Sequence, residues 1–222
     1  MDITVIGTSR HAMKPERATL HLSVGCEADN QETALRDCTA TVNALRQVID
    51  HLQASSPSPI TWFAVLPIRT RAWRPWNQNG KTMPLRFSAA SQIKVKFNDF
   101  AALAQFANVQ GSAPFVKLEG VDWTLTELTK TRVQEQVLAE AVRDATNRAT
   151  QIAKAAGVGP VTPLEITDPG LLSGVHGSSA SAPIGAAFAT RAAAGAPEAD
   201  AVDLLPEDVE LAAQVHARFT AG

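Results

Sequence analysis

A chain of 222 residues can bury roughly 70–75% of the surface it would expose unfolded, enough for a sizeable core without metal or disulfide staples. Its net charge of −2 and pI near 6.2 give no global attraction to nucleic acid or anionic membrane, and two cysteines do not make a disulfide framework. No window approaches the roughly 18 consecutive apolar residues that span a bilayer, so no membrane-spanning segment is expected.

The chain opens on a strand-like run from Ile3, turns at Lys14-Pro15-Glu16, and enters a second run. There Ala18, Leu20, Leu22, Val24 and Cys26 share one face while Thr19, His21, Ser23 and Glu27 take the other, the period of a half-buried strand. From Asp29 to about Leu52 the apolar positions Leu35, Cys38, Val42, Leu45, Ile49 and Leu52 step by three and four, which predicts a helix of about six turns. Asp29 and Glu32 form its expected capping pair, and the Ser/Pro run from Ser55 to Pro59 ends it. Residues Ile60 to Thr70 read as one strand, and a polar, Trp-rich segment then carries the Asn79-Gly80 signal of a hairpin.

Ile93, Val95 and Phe97 alternate with Gln92, Lys94 and Lys96, after which Asn98 or Asp99 can cap a short helix carrying Phe100, Leu103 and Phe106. Phe115 to Thr126 is strand-like, and its apolar phase changes from Val116 and Leu118 to Val121, Trp123 and Leu125, which predicts a bulge near Glu119-Gly120. The longest helix is expected from Glu127 to Ala156, with Val137, Ala141, Ala145, Ala149, Ile152 and Ala156 on its packing face and Gly157 as its stop. Val161 to Thr167 is a short strand, followed over 168–204 by an Ala/Gly/Ser/Pro-rich insertion expected to be flexible. Past Pro206-Glu207-Asp208 a final strand places Val209, Leu211, Ala213, Val215, Ala217 and Phe219 on one face, so both chain ends read as strands of one sheet.

The resulting order is ββαββαβαβ, the insertion, then a last β. It predicts a single α+β domain over 1–222, with a largely antiparallel sheet, two long helices and one short one. This organisation resembles the SIMPL-domain family, to which bacterial periplasmic immunogenic proteins belong. In that family a Gly-containing first strand leads to a Pro-Asp turn, and Gly7, Pro15 and Glu16 stand at those positions, with Glu for Asp. Val133 to Gly157 is similar to the family's long Ala- and Arg-rich helix. Where the family has a Gly-Tyr pair this chain has Arg86-Phe87, followed by the more family-like Ser88-Ala89-Ala90-Ser91, so the aromatic is kept and its hydroxyl lost. The similarity covers about 3–167 and 205–220.

Residues with catalytic potential are scattered. His11, His21, His51, His176 and His216 show no metal-ligand spacing, and no nucleophile elbow, phosphate loop, dinucleotide fingerprint or Cys-x-x-Cys is present. Gly157-Val158-Gly159-Pro160 follows a helix and reads as a helix stop. His21 and His216 occupy polar faces of strands that could be neighbours, which keeps open a ligand pair. Glu127, Glu135, Glu140 and Asp144 read as a solvated helix face, with Asp144 reaching Arg148 one turn on. Cys26 and Cys38 read as buried packing thiols, with a link between them left open. The one concentration of charge with aromatics is Arg69, Arg71, Trp73, Arg74, Trp76, Lys81 and Arg86, a candidate interaction surface.

These readings, with what the resemblance implies, point to a non-enzymatic, self-associating, stress-related bacterial protein without cofactor or metal. Its expected partners are further copies of itself or another protein, and no nucleic acid is expected. A small-molecule-binding protein or hydrolytic enzyme using the sheet histidines is the alternative. The chain as given enters its first strand directly from Met1-Asp2, so a cytoplasmic location is expected, although the family it resembles is largely exported.

Overall fold

A computed structural model describes residues 1–76, 83–171 and 204–222. Among these, the elements are β1 (Asp2–Met13), β2 (Arg17–Ala28), α1 (Gln31–Ala54), β3 (Ile60–Val65), β4 (Arg69–Trp73), β5 (Arg86–Phe97), α2 (Phe100–Gly111), β6 (Val116–Thr124), α3 (Glu127–Ala155), β7 (Val161–Thr167) and β8 (Val209–Ala221). All strand pairings are antiparallel, and the class is α+β. The Asn79-Gly80 tip, Lys81, His176 and the expected insertion from 172 to 203 lie outside the described residues.

The strands form two sheets where one was expected, ordered β1-β8-β7 and β3-β5-β2-β6, with β4 also paired to β5. Two compact units result, one built from β1, α3, β7 and β8, the other from β2 to β6 with α1 and α2. The turn at Lys14-Pro15-Glu16 is where the chain leaves one sheet for the other. Pro15 has no N–H to extend a ladder, and the Glu16 N–H donates to Thr124 O of β6 at 3.0 Å. The two chain ends do share a sheet, with β1 and β8 in register from Asp2↔Thr220 to Met13↔Val209.

The strand expected over Ile60–Thr70 is two strands. Pro67 interrupts it, yet both halves lie along β5, and the gap stays tied because the Leu66 N–H donates to Gln92 O at 2.8 Å and the Ser91 hydroxyl donates to Leu66 O at 2.6 Å. Helix α1 is capped by Asn30, whose side chain accepts from the Thr33 N–H at 2.8 Å; the expected Asp29/Glu32 pair gives way because Asp29 forms an ion pair with Arg86. Asp99 caps α2, accepting from Ala101 and Ala102 N–H groups. The bulge in β6 falls where His21 pairs Gly120 and Leu22 pairs Leu118, leaving Glu119 extra. A second bulge breaks the β7 ladder between Pro163 and Glu165.

In the second unit α1 lays Ala34, Cys38, Val42, Leu45 and Ile49 on the sheet face formed by Leu20, Leu22, Val24, Cys26, Ile93, Val95 and Phe97. Leu35, assigned to that stripe from sequence, is exposed, because the buried row starts one residue earlier. Phe87, at the family's tyrosine position, packs its ring against this cluster. In the first unit the buried row on α3 runs Thr129, Val133, Val137, Ala141, Ala145, Ala149 and Ala153. Steps of four carry the row to Ala153 and leave Ile152 43% exposed, contrary to expectation, because an i±4 ridge runs inclined to the helix axis. Gly157, at φ +70, ends the helix as expected.

The row is small because the strand below is very close. A Cβ built on Gly7 would lie 2.0 Å from Ala141 O and 2.7 Å from the Ala145 Cβ, so α3 packs directly on the β1 backbone. Gly7→Ala is expected to destabilise the protein by about 2–3 kcal/mol through overpacking, and an unchanged unfolding midpoint would contradict this contact. Leu45→Ala, in the other core at 2% exposure, is expected to cost about 2–5 kcal/mol in the same denaturant titration.

Candidate interaction surface

The five-stranded sheet buries one face under α1 and α2, so period-two alternation sends every second side chain to the opposite face. Directly paired residues in an antiparallel ladder point to the same side, which makes that face readable row by row. At one end Trp62 pairs Lys96, beside Thr19 and then Asp122. The next row is Ala64, Lys94, His21 and Gly120. Along β4 the rows are Arg69 with Ala90, Arg71 with Ser88 and Trp73 with Arg86.

Arg69, Arg71, Trp73 and Arg86 of the sequence-derived surface are thus brought to one sheet face. Arg74 and Trp76 follow β4 and lie beyond the ladder, both exposed, Trp76 at 83%. Trp62, Lys94 and Lys96 belong to the same face and were missed. Their signal was in the sequence, since Lys94 and Lys96 were already the polar half of an alternating strand, but the register joining them to β3 and β4 is long-range.

The face is electrically divided. Arg69, Arg71, Lys94 and Lys96 make no ion pair among the described residues, and Arg86 meets Asp29. The carboxylates lie toward β2 and β6. Glu27 stands opposite Ser88, Asp122 accepts from or pairs with His21 Nε2 at 2.7 Å, and Glu119 accepts from the Ser23 hydroxyl at 2.6 Å and Lys117 Nζ at 3.1 Å. The Ser23 hydrogen bond, then that of Lys117, holds the Glu119 carboxyl below the usual carboxylate range.

His21 is on β2 and His216 on β8; among the described residues β2 pairs β5 and β6 while β8 pairs β1 and β7, so the two strands are not the ladder neighbours they could have been from sequence. His216 Nε2 lies 3.2 Å from the Gln214 amide nitrogen. Among the described residues no group of three or more His, Cys, Asp or Glu side chains is placed to hold a metal ion, and no helix is long and apolar enough to cross a membrane.

One polar cluster was not anticipated. Ser9 and His11, alternating with Gly7 on the α3-facing side of β1, both reach Glu140 Oε2, at 2.9 and 2.7 Å, and Gln136 donates to Oε1 at 3.1 Å. Hydrogen bonds from Gln136, Ser9 and His11 bring the Glu140 carboxyl down to about 2. So acidic a group is a poor general base, and the Ser9 hydroxyl points to the carboxylate instead of the imidazole; the cluster fastens strand to helix. Asp144, expected to pair with Arg148, instead accepts the Thr8 backbone N–H at 2.9 Å on the outer edge of β1.

A folded-state carboxyl depressed below its ordinary value of 4.5 adds stability above that value, and the contribution disappears as pH falls toward about 2. The unfolding midpoint is therefore expected to drop over this acid range by more in the native sequence than in Glu140→Gln, measured by thermal unfolding at several pH values; parallel curves would contradict the network.

No curated protein matches the chain. A family profile described as SIMPL, a protein of unknown function (DUF541), matches residues 3–219. With that match spanning nearly its whole length, and the antiparallel α+β organisation above, the chain belongs to the SIMPL family.

Proposed function

We propose that this chain is a non-enzymatic, self-associating protein whose open five-stranded sheet face docks on the same face of a second copy. The division of charge across that face carries the reading. Its β3/β4/β5 side bears Arg69, Arg71, Lys94 and Lys96 without counter-charges, and its β2/β6 side bears Glu27, Glu119 and Asp122, the last two already engaged there by Lys117 and His21. A two-fold axis through the face lays the basic half of each copy on the acidic half of the other, the self-complementarity that an isologous dimer requires. Trp62 and Trp73 supply apolar area beside the cations, a composition that dominates interface energy. The stress-related role implied by the family resemblance is taken as the setting in which the assembly works.

Light scattering and sedimentation across a concentration series are expected to show association that weakens as salt screens the charges. Arg71→Glu with Lys94→Glu should weaken it at least about tenfold, the scale of a little over 1 kcal/mol, without altering the circular dichroism. Glu27→Lys with Glu119→Lys should do the same, and mixing the two variants should restore association by pairing reversed halves. A monomer at all concentrations, or two variants that fail to complement, would sink the proposal.

A further inference from the structure

Strand β8 is paired along one side and only part of the other. β1 accompanies it from Val209 to Thr220, whereas β7 stops where Thr167 meets His216. The cause of the stop lies in the chain. Pro169, the residue that would next face Gln214, has no N–H to give, and a turn closed by the Leu171 N–H on Asp168 O at 3.2 Å, with Gly170 at φ +85, leads the chain away.

The parity of the ladder shows what β8 leaves uncovered. Met1 and Ala221 exchange both backbone hydrogen bonds, so the odd-numbered residues of β8 bond to β1 and the even-numbered ones turn their N–H and C=O groups the other way. His216, Arg218 and Thr220 direct theirs to β7. Among the described residues no backbone group meets those of Glu210, Ala212 and Gln214, and Glu210 and Ala212 are exposed.

The side of this row that faces α3 is apolar. Leu211 and Ala213 point toward the helix and are half-buried. Contacts from Thr8 to Asp144, and from Ser9 and His11 to Glu140, hold one flank of α3 along the outer edge of β1, which turns Val142 and Leu138 to the β8 flank. Val142 packs into the core cluster, but Leu138, one turn earlier, is 46% exposed. Because Ser9 pairs Ala213 and also meets Glu140, that turn of the helix stands level with the part of β8 that β7 does not reach. Ile166, the last inward side chain of β7, is 43% exposed at the other end of the same space.

The geometry points to a strand-addition site, in which the Glu210–Gln214 row takes an extended peptide segment of about five residues from another protein, laid along β8 in line with β7. The segment's main chain answers the amides and carbonyls of Glu210, Ala212 and Gln214. Its inward side chains are apolar and fill the space among Leu138, Ile166, Leu211 and Ala213. Its outward side chains are polar and lie at a hollow of about 470 Å³ lined by Thr8, Ser9, Arg10, Ala212, Ala213 and Gln214. β7 bounds the row at one end, which suits a short segment and not the long edge of a second sheet. This site belongs to the three-stranded sheet and is independent of the face proposed above for self-association.

The test is amide hydrogen exchange by NMR on the full chain, with capped heptapeptides in which threonine alternates with valine, isoleucine, leucine or phenylalanine as probes. In the dilute free chain Ala212 and Gln214 amides should exchange freely while those of Leu211 and Ala213 are protected. A millimolar concentration of at least one peptide should slow the Ala212 and Gln214 amides about tenfold or more. The same peptide methylated on the nitrogens that face β8 should not. Ala212→Pro removes an outward N–H and no bond to β1, so it should abolish the protection and leave the unfolding midpoint unchanged; Leu138→Lys should weaken it about tenfold or more through the apolar side alone. Four outcomes would overturn the inference: no peptide slows these amides, the methylated peptide acts equally well, the row is already protected in the dilute free chain, or its protection grows with protein concentration without peptide, which assigns it to a second copy.

Discussion

The ladder between β1 and β8 is the constraint on which the rest depends. It joins residues 2–13 to residues 209–220, so the first unit exists only when the two ends of the chain have found each other. Closing so long a loop costs more than closing a short one, though only logarithmically so, and the ladder offsets it with twelve paired positions and the burial of Val215, Ala217 and Phe219 under α3. The second unit makes no such demand, since β2 to β6 are contiguous in sequence. Non-local pairing forms slowly, which favours β2 to β6 condensing first and the terminal ladder closing later.

The two cores solve the packing problem in opposite ways. The second unit fills the space under α1 with large side chains, Leu20, Leu22, Ile93, Val95, Phe97 and Ile49 among them, and gains mainly from apolar area removed from water. The first unit has little such area to remove: four alanines of α3 meet a strand whose central position is glycine. There the gain comes from close backbone approach and from polar fastening, with Glu140 gathering Ser9 and His11 beyond the alanine row.

Elements whose signal is local could be read from the sequence. Strict alternation from Ala18 to Cys26 and the phase change at Glu119 need only period-two geometry, and the structure places both as that geometry dictates. What escaped is what depends on distant partners. The division into two sheets turns on whether β1 pairs β2 or β8, and nothing in the local pattern distinguishes these. Asp29 has the chemistry of a helix cap, but Arg86, far along the chain, engages it, and Asn30 caps instead. The Arg/Trp segment was visible as a cluster, whereas Trp62, Lys94 and Lys96 join it only through β5.

Every outer strand of the two sheets carries an interruption. Pro67 separates β3 from β4, Glu119 bulges out of β6, a bulge beside Pro163 breaks β7, and the Asp144 carboxylate occupies the Thr8 N–H on β1. An unbroken edge offers its row of free amides and carbonyls to any other extended chain, and that is how sheets grow without limit. Among the described residues these points shorten the free rows of the edges, so the backbone gives a passing strand poorer purchase. In the proposed association, contact would fall to side chains, which can be satisfied and then stop, favouring bounded particles over fibrils.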